Sequence, residues 1–246
     1  MAGFDPSAYG VAIADVYDEM YETAYDTAGA VEFIAAVAGN GSVLEFGIGT
    51  GRLAQPLVAR GLSVSGIDGS EAMVERMRHR PGADAIDVKI GNFADVDMGR
   101  HDFALVVLAI NTIFALPDQD AQVDVFVNAA RHLVASGRFI VEAWVPDLSK
   151  FHRQHGVWAR EHNDEHVSIE IGELDTVHQY MKTTQVRFGA EGVQLFPANH
   201  RYAWPAELDL MARLAGMTRV ERWQDWRRSP FTSASPTHVS VYERLR

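Results

Sequence analysis

Short apolar runs alternate with amphipathic stretches from residue 42 to residue 144, and this rhythm predicts a strand–helix repeat. Ser42–Phe46, Leu62–Ile67, Ala85–Ile90, Asp102–Ala109 and Arg138–Trp144 read as strands. Leu53–Ala59, Ser70–His79 and Gln122–Leu133 read as helices between them, with Ser70 as an N-cap and Ser136-Gly137 closing the last helix. Upstream, Val11, Ile13, Val16, Met20 and Tyr21 alternate with acids as in one or two short amphipathic helices. A further helix covers Ala30–Ala38 and stops at Gly39-Asn40-Gly41. Strands and helices in alternation, joined by short turns, predict an α/β fold with a doubly wound, mostly parallel sheet.

After Pro146 the period changes. Val157–Arg201 shows short alternating segments without a helix, with turns expected at Asn163-Asp164, Gly172 and Gly189 to Gly192. Three or four antiparallel strands are predicted here, as an insertion after the fifth strand rather than an independent domain. Pro205–Gly216 returns to helix, with Leu208, Met211, Ala212 and Leu214 on one face. Strands around Val220–Trp226 and His238–Glu243, joined by a loop over Ser229–Pro236, bring the main sheet to seven strands. The expected organisation is a helical lid over 1–40, a ligand-binding core over 41–145, the insertion over 146–204, and a C-terminal helix with the last two strands over 205–246.

The segment with chemistry is Glu45-Phe46-Gly47-Ile48-Gly49-Thr50-Gly51-Arg52, which follows a strand and opens a helix. Glycine allows a tight turn and close approach of a ligand to bare backbone. In a doubly wound sheet that turn lies at the carboxyl end of the strand, where ligands bind. A dinucleotide fingerprint needs glycine at position 52, which is Arg52. An acid at the head of the motif, Glu45, suits a cationic ligand better than a pyrophosphate. Asp68 ends the second strand, where a carboxylate accepts both hydroxyls of a ribose.

Composition narrows the class. The 246 residues contain no cysteine, which excludes disulfides, thiolate metal sites and cysteine nucleophiles. A formal net charge of −11 offers no basic surface for nucleic acid. Residues 1–10 show no signal-peptide pattern, and the longest apolar stretch, Phe103–Ile110, is too short to span a bilayer. The expectation is a cytoplasmic protein with no nucleic-acid or membrane partner, and a homodimer stays open. His152, His155, His162 and His166 cluster after the fifth strand without a recognisable ligand spacing, so no metal site is expected.

At the glycine turn and Asp68 the chain resembles the class I S-adenosylmethionine (SAM) dependent methyltransferases. The Asp15-Val16-Tyr17-Asp18-Glu19-Met20-Tyr21 lead-in and the inserted strands are similar to those of small-molecule types such as bacterial sugar N,N-dimethyltransferases. The resemblance implies SAM as cofactor and a small-molecule acceptor. Glu45 would meet the amino end of SAM. Gly47, Gly49 and Gly51 would form the turn, and Asp68 with Gly69 would face the ribose. Asn92, where Asp is more usual, and Phe93 would lie at the adenine. Ala109 would line the cleft, and Tyr17 would close over the cofactor. Arg52 either faces the methionine carboxylate or points to solvent. Asn111 and Trp144 fall on the acceptor side. No residue reads as an obvious catalytic base, which favours an amine acceptor. An NAD-dependent oxidoreductase and a non-catalytic SAM-binding protein are the alternatives.

Overall fold

Val43–Phe46 is apolar but for Glu45, and all four residues are buried; they form strand β1 of the sheet's centre. The structure, a computed structural model, describes residues 25–190 and 192–245. Of the one or two short helices expected over residues 11–27, all but residues 25–27 lies outside the described residues, Tyr17 included. β2 (Val64–Asp68) is likewise buried throughout, whereas β3 (Asp87–Ile90) is a largely exposed edge. β4 (Phe103–Leu108), β5 (Leu133–Trp144), β10 (Met217–Trp223) and β11 (Thr237–Arg244) complete seven strands in the order β10-β11-β5-β4-β1-β2-β3. The five strands from β5 to β3 run parallel, while β11 pairs antiparallel with both β5 and β10.

Side chains alternate across a strand, so the central strands feed two cores. Phe46, Val106, Leu108, Phe139 and Val141 pack on α4 (Gln119–His132) and α5 (Pro205–Leu214). Val43, Leu105, Val107 and Ile140 pack on the opposite face with α1 (Thr27–Ala38), α2 (Ala54–Ala59) and α3 (Glu71–Arg78). Caps set the helix starts. Asp26 accepts from the Gly29 amide, Ser70 from Met73 and Asp118 from Ala121, while Pro205 opens α5. Among the described residues no helix is long and apolar enough to cross a membrane.

The insertion is a separate sheet of four antiparallel strands, β6 (His155–His162), β7 (His166–Asp175), β8 (Tyr180–Gly189) and β9 (Gly192–Arg201), in chain order. Two sequence expectations fail at glycines. Gly172 makes no turn: it sits within β7, and a Cβ there would meet Phe151 Cε1 at 2.7 Å and Trp158 Cη2 at 2.8 Å. The glycine makes room for two aromatic rings, and the reversal comes at residues 176–179. Ser136-Gly137 does not close a helix either. α4 ends at His132 and β5 begins directly, with Ser136 at φ 62° as an irregularity between the Phe103–Leu133 and Leu105–Arg138 pairs.

A buried polar network ties the insertion to the core. Gln122 Nε2 donates to the carbonyls of Ile113 and Arg201, at 2.9 and 2.8 Å. Arg201 donates back to Gln122 Oε1 at 2.6 Å and to Glu207 Oε1 at 2.7 Å. The end of β9 is thereby fixed over the 3-10 turn Thr112–Ala115.

Candidate functional site

Three chain reversals meet at the carboxyl ends of β1, β2 and β4, the edge where ligands bind in an open α/β sheet. Gly47 and Gly51 are closely packed: an added Cβ would meet Thr112 Cγ2 at 2.9 Å and Met77 Cγ at 2.7 Å respectively. Gly49 differs. Its φ is +54°, yet its nearest neighbour for a Cβ among the described residues would be Met73 Cε at 3.7 Å, so these residues leave that face of the turn open. Asp68 holds the turn from below. Its Oδ2 accepts from the Gly49 amide and its Oδ1 from Ser70, both at 2.7 Å. Burial raises the Asp68 pKa, and these two amides oppose the rise.

Glu45 lies beside the turn with 5% of its surface exposed, and its Oε2 is buried without a hydrogen-bond partner among the described residues. Burial pushes its carboxyl up to about 8, against the pull of the Arg52 guanidinium and the Ala54 amide, with Asp68 adding to the rise. Glu45, Gly47, Ile48, Thr50, Arg52, Ala109, Ile110 and Thr112 line one recess. A buried acceptor without a donor is costly, and a cationic amine entering the recess would supply the donor. Arg52 stands on the rim, donating to Thr27 Oγ1 at 2.7 Å and lying 5.7 Å from the Tyr25 ring centroid.

The wall opposite is the exit of β4. Ile110 and Asn111 stand in succession at φ 49° and 59°. For a β-branched residue such as Ile110 this conformation is a true outlier, costing of order 1–3 kcal/mol. Glu142 Oε2 accepts from the Ile110 amide at 2.8 Å, and Asn111 Oδ1 accepts from the Trp144 amide at 2.6 Å. The Thr112 hydroxyl donates to the Ala109 carbonyl at 2.6 Å.

This geometry has counterparts. The family model described as a methyltransferase domain matches residues 43–137. The structure of the CcbJ methyltransferase from Streptomyces caelestis is 37% identical, covers 99% of this chain and 100% of its own, and superposes with a TM-score of 0.92. The chain belongs to the SAM-dependent methyltransferases. Cypemycin N-terminal methyltransferase from a Streptomyces species is 26% identical across 98% of this chain and 99% of that protein. SAM-bound CalS10, an amino pentose methyltransferase from Micromonospora echinaspora, shares the fold at 18% identity and a TM-score of 0.71, over 94% of this chain and 97% of that one.

The methyltransferase brings most of the sequence-derived residues to one edge. Glu45, Gly47, Gly49, Gly51, Arg52, Asp68 and Ala109 converge there, and Gly69 follows Asp68 in a bend. Asn92 Oδ1 caps its own turn by accepting from the Ala94 amide at 3.0 Å. Phe93 is buried and stacks on Phe46 with centroids 5.9 Å apart, so its ring serves the core. Trp144 stands at the root of the insertion, edge-on to Phe114 at 4.6 Å and to His200 at 6.2 Å. His166 pairs with Glu161 at 2.8 Å, and no three His, Asp or Glu converge as a metal site among the described residues.

Sequence reading missed two residues near the methyltransferase cleft. Burial holds the imidazole of His200, on the last strand of the insertion, below its usual range, with Glu170 opposing the shift. Nothing in the sequence sets it apart from nine other histidines. Glu142 did leave a signal: it is an acid inside the otherwise apolar run Phe139-Ile140-Val141-Glu142-Ala143-Trp144.

Proposed function

We propose that this methyltransferase carries a methyl group from SAM to a nitrogen or oxygen of a small-molecule acceptor, in natural-product biosynthesis and in the cytoplasm. The buried, unpaired Oε2 of Glu45 in the recess carries the cofactor assignment, since the amino group of SAM supplies the missing donor. Asp68 takes the ribose hydroxyls on the lone pairs left by its two amide bonds. Arg52 at the rim faces the carboxylate. When bound, SAM brings a methyl already activated by the sulfonium charge. The protein then needs to align the acceptor and exclude water rather than supply strong acid or base.

Trp144, Asn111 and the face of the insertion that bears His200 stand above the β4 exit and line the acceptor side in this reading. Two relatives are named for an N-terminal and an amino pentose acceptor, which supports an amine here. The formal net charge of −11 argues against nucleic acid as the acceptor. NAD fits the turn poorly, because Arg52 stands where a dinucleotide fingerprint has glycine.

The test is production of S-adenosylhomocysteine from SAM against a panel of amino sugars and peptide N-termini, alongside melting with SAM or NAD added. Stabilisation by NAD alone would defeat the proposal. Once an acceptor is in hand, His200→Ala should raise its KM several-fold and leave S-adenosylhomocysteine affinity unchanged; the reverse pattern would remove the insertion from the acceptor side.

Glu45 adds a pH signature. With its carboxyl at about 8, the free site is mostly protonated at neutral pH, and pairing with a cationic amine releases that proton. Affinity for S-adenosylhomocysteine should rise by nearly tenfold per unit from about pH 6 to 7.5. In Glu45→Gln it should be flat and about 10-fold weaker or more at the upper end. Stability runs the other way. The folded pKa lies above the ordinary 4.5, so stability is full below 4.5 and is lost as pH rises toward 8. Ligand-free Glu45→Gln should therefore melt above wild type at about pH 8.5. Calorimetric titration and melting curves read both effects, and a pH-independent wild-type affinity would overturn the pairing.

A further inference from the structure

We propose that Glu142 is a positioning residue for the cofactor site: one oxygen of its carboxylate holds Ile110 in the left-handed conformation that shapes the wall of the recess, while the other accepts from the indole of Trp226. The inference rests on the reading above that the Ala109–Thr112 wall faces SAM.

Isoleucine disfavours φ 49°, so the surroundings must impose it. The Glu142 side chain reaches the very amide that the turn exposes, with Oε2 2.8 Å from the Ile110 nitrogen. Its own carbonyl accepts from Asn111 at 3.1 Å, so side chain and main chain of one residue grip both strained positions. The second oxygen accepts from Trp226 Nε1 at 2.6 Å. Trp226 is 6% exposed and packs edge-on against Phe33 of α1 with centroids 5.6 Å apart, so that donor is fixed.

Both carboxylate oxygens are thus engaged by N–H donors, which suits a role in holding the main chain and not one in taking a proton from the acceptor. The hold reaches further than Ile110. Thr112, two residues on, lies against Gly47, where a Cβ would come within 2.9 Å of its methyl group. A shift of the wall therefore presses on the glycine turn that Asp68 anchors.

An amide cannot replace this carboxylate. Glutamine has one acceptor oxygen, and two N–H donors converge on the site. In Glu142→Gln either Ile110 or Trp226 faces an NH2 group. Removing the indole donor as well frees the single oxygen for Ile110, and this gives a rescue that a merely structural role would not produce.

The experiment is calorimetric titration of S-adenosylhomocysteine into wild type, Glu142→Gln, Trp226→Phe and the double variant, with a melting curve for each. Glu142→Gln is expected to bind about 10- to 30-fold more weakly. Trp226→Phe should stay within about 3-fold of wild type, and the double variant should regain binding to within about 5-fold although it melts no higher than Glu142→Gln. Wild-type affinity in Glu142→Gln, or a double variant as weak as Glu142→Gln, would overturn the inference. Should Glu142→Gln not fold, the double variant decides alone: binding within about 5-fold of wild type supports the proposal and loss of binding overturns it. A wild type that does not bind S-adenosylhomocysteine would sink the cofactor reading instead, a distinct outcome.

Discussion

Asp68→Ala should lower affinity for S-adenosylhomocysteine by roughly 100-fold and lower the melting temperature as well, because one carboxylate serves two structures. In the proposed cofactor site it offers charge-assisted contacts to ribose hydroxyls, each of order 1.5–3 kcal/mol. Toward the protein it accepts from the Gly49 and Ser70 amides at 2.7 Å in a site where it is 8% exposed. Truncation leaves two amides without a partner, at about 1–3 kcal/mol each where water cannot replace it. A fall of several degrees in melting temperature is expected to accompany the lost binding, at about 2–4 °C per kcal/mol for a chain of this size. Asp68→Asn should fall between the two, since its NH2 group opposes one of the amides. An Asp68→Ala variant that binds like wild type would remove Asp68 from the cofactor site, whatever its stability.

Gly49→Val should abolish measurable binding, a loss of more than about 100-fold, while the fold survives. The two effects separate because the described residues leave the space above Gly49 open: a Cβ meets nothing of theirs closer than 3.7 Å. The φ of +54° costs a side-chain-bearing residue about 1–2 kcal/mol, somewhat more when β-branched, and that is the whole expected loss of stability. The valine methyls enter the face over which the ligand is proposed to lie. Gly51→Val provides the contrast. Its Cβ would lie 2.7 Å from Met77 Cγ, so it should lose stability through packing first. Circular dichroism melting and calorimetric titration distinguish the cases. Binding by Gly49→Val within about 10-fold of wild type would mean that the ligand does not cross this turn.

Much of this protein is legible along the chain. Apolar runs bounded by turns mark β1, β2, β4 and β5, because strands buried on both faces tolerate few polar residues. The change of period after Pro146 marks the antiparallel insertion. The glycine turn and Asp68 are visible because both depend on local requirements: a reversal after a strand, and an acid at the end of the next one. Glycine, however, has more than one use. Gly172 marks no turn, because it accommodates Phe151 and Trp158, rings that arrive from 21 and 14 residues upstream only once the insertion has folded. The sequence by itself therefore determined the layer architecture and placed the glycine turn and its acid at the carboxyl edge of the sheet. Tertiary structure alone decided the wall of the cleft. Ile110 carries no local preference for a left-handed turn, and the carboxylate that accepts from its amide lies 32 residues away at Glu142, whose other oxygen meets Trp226 a further 84 residues on. Local propensity is written in neighbouring residues, but strain is imposed by contacts between distant ones, which exist only after the sheet has assembled.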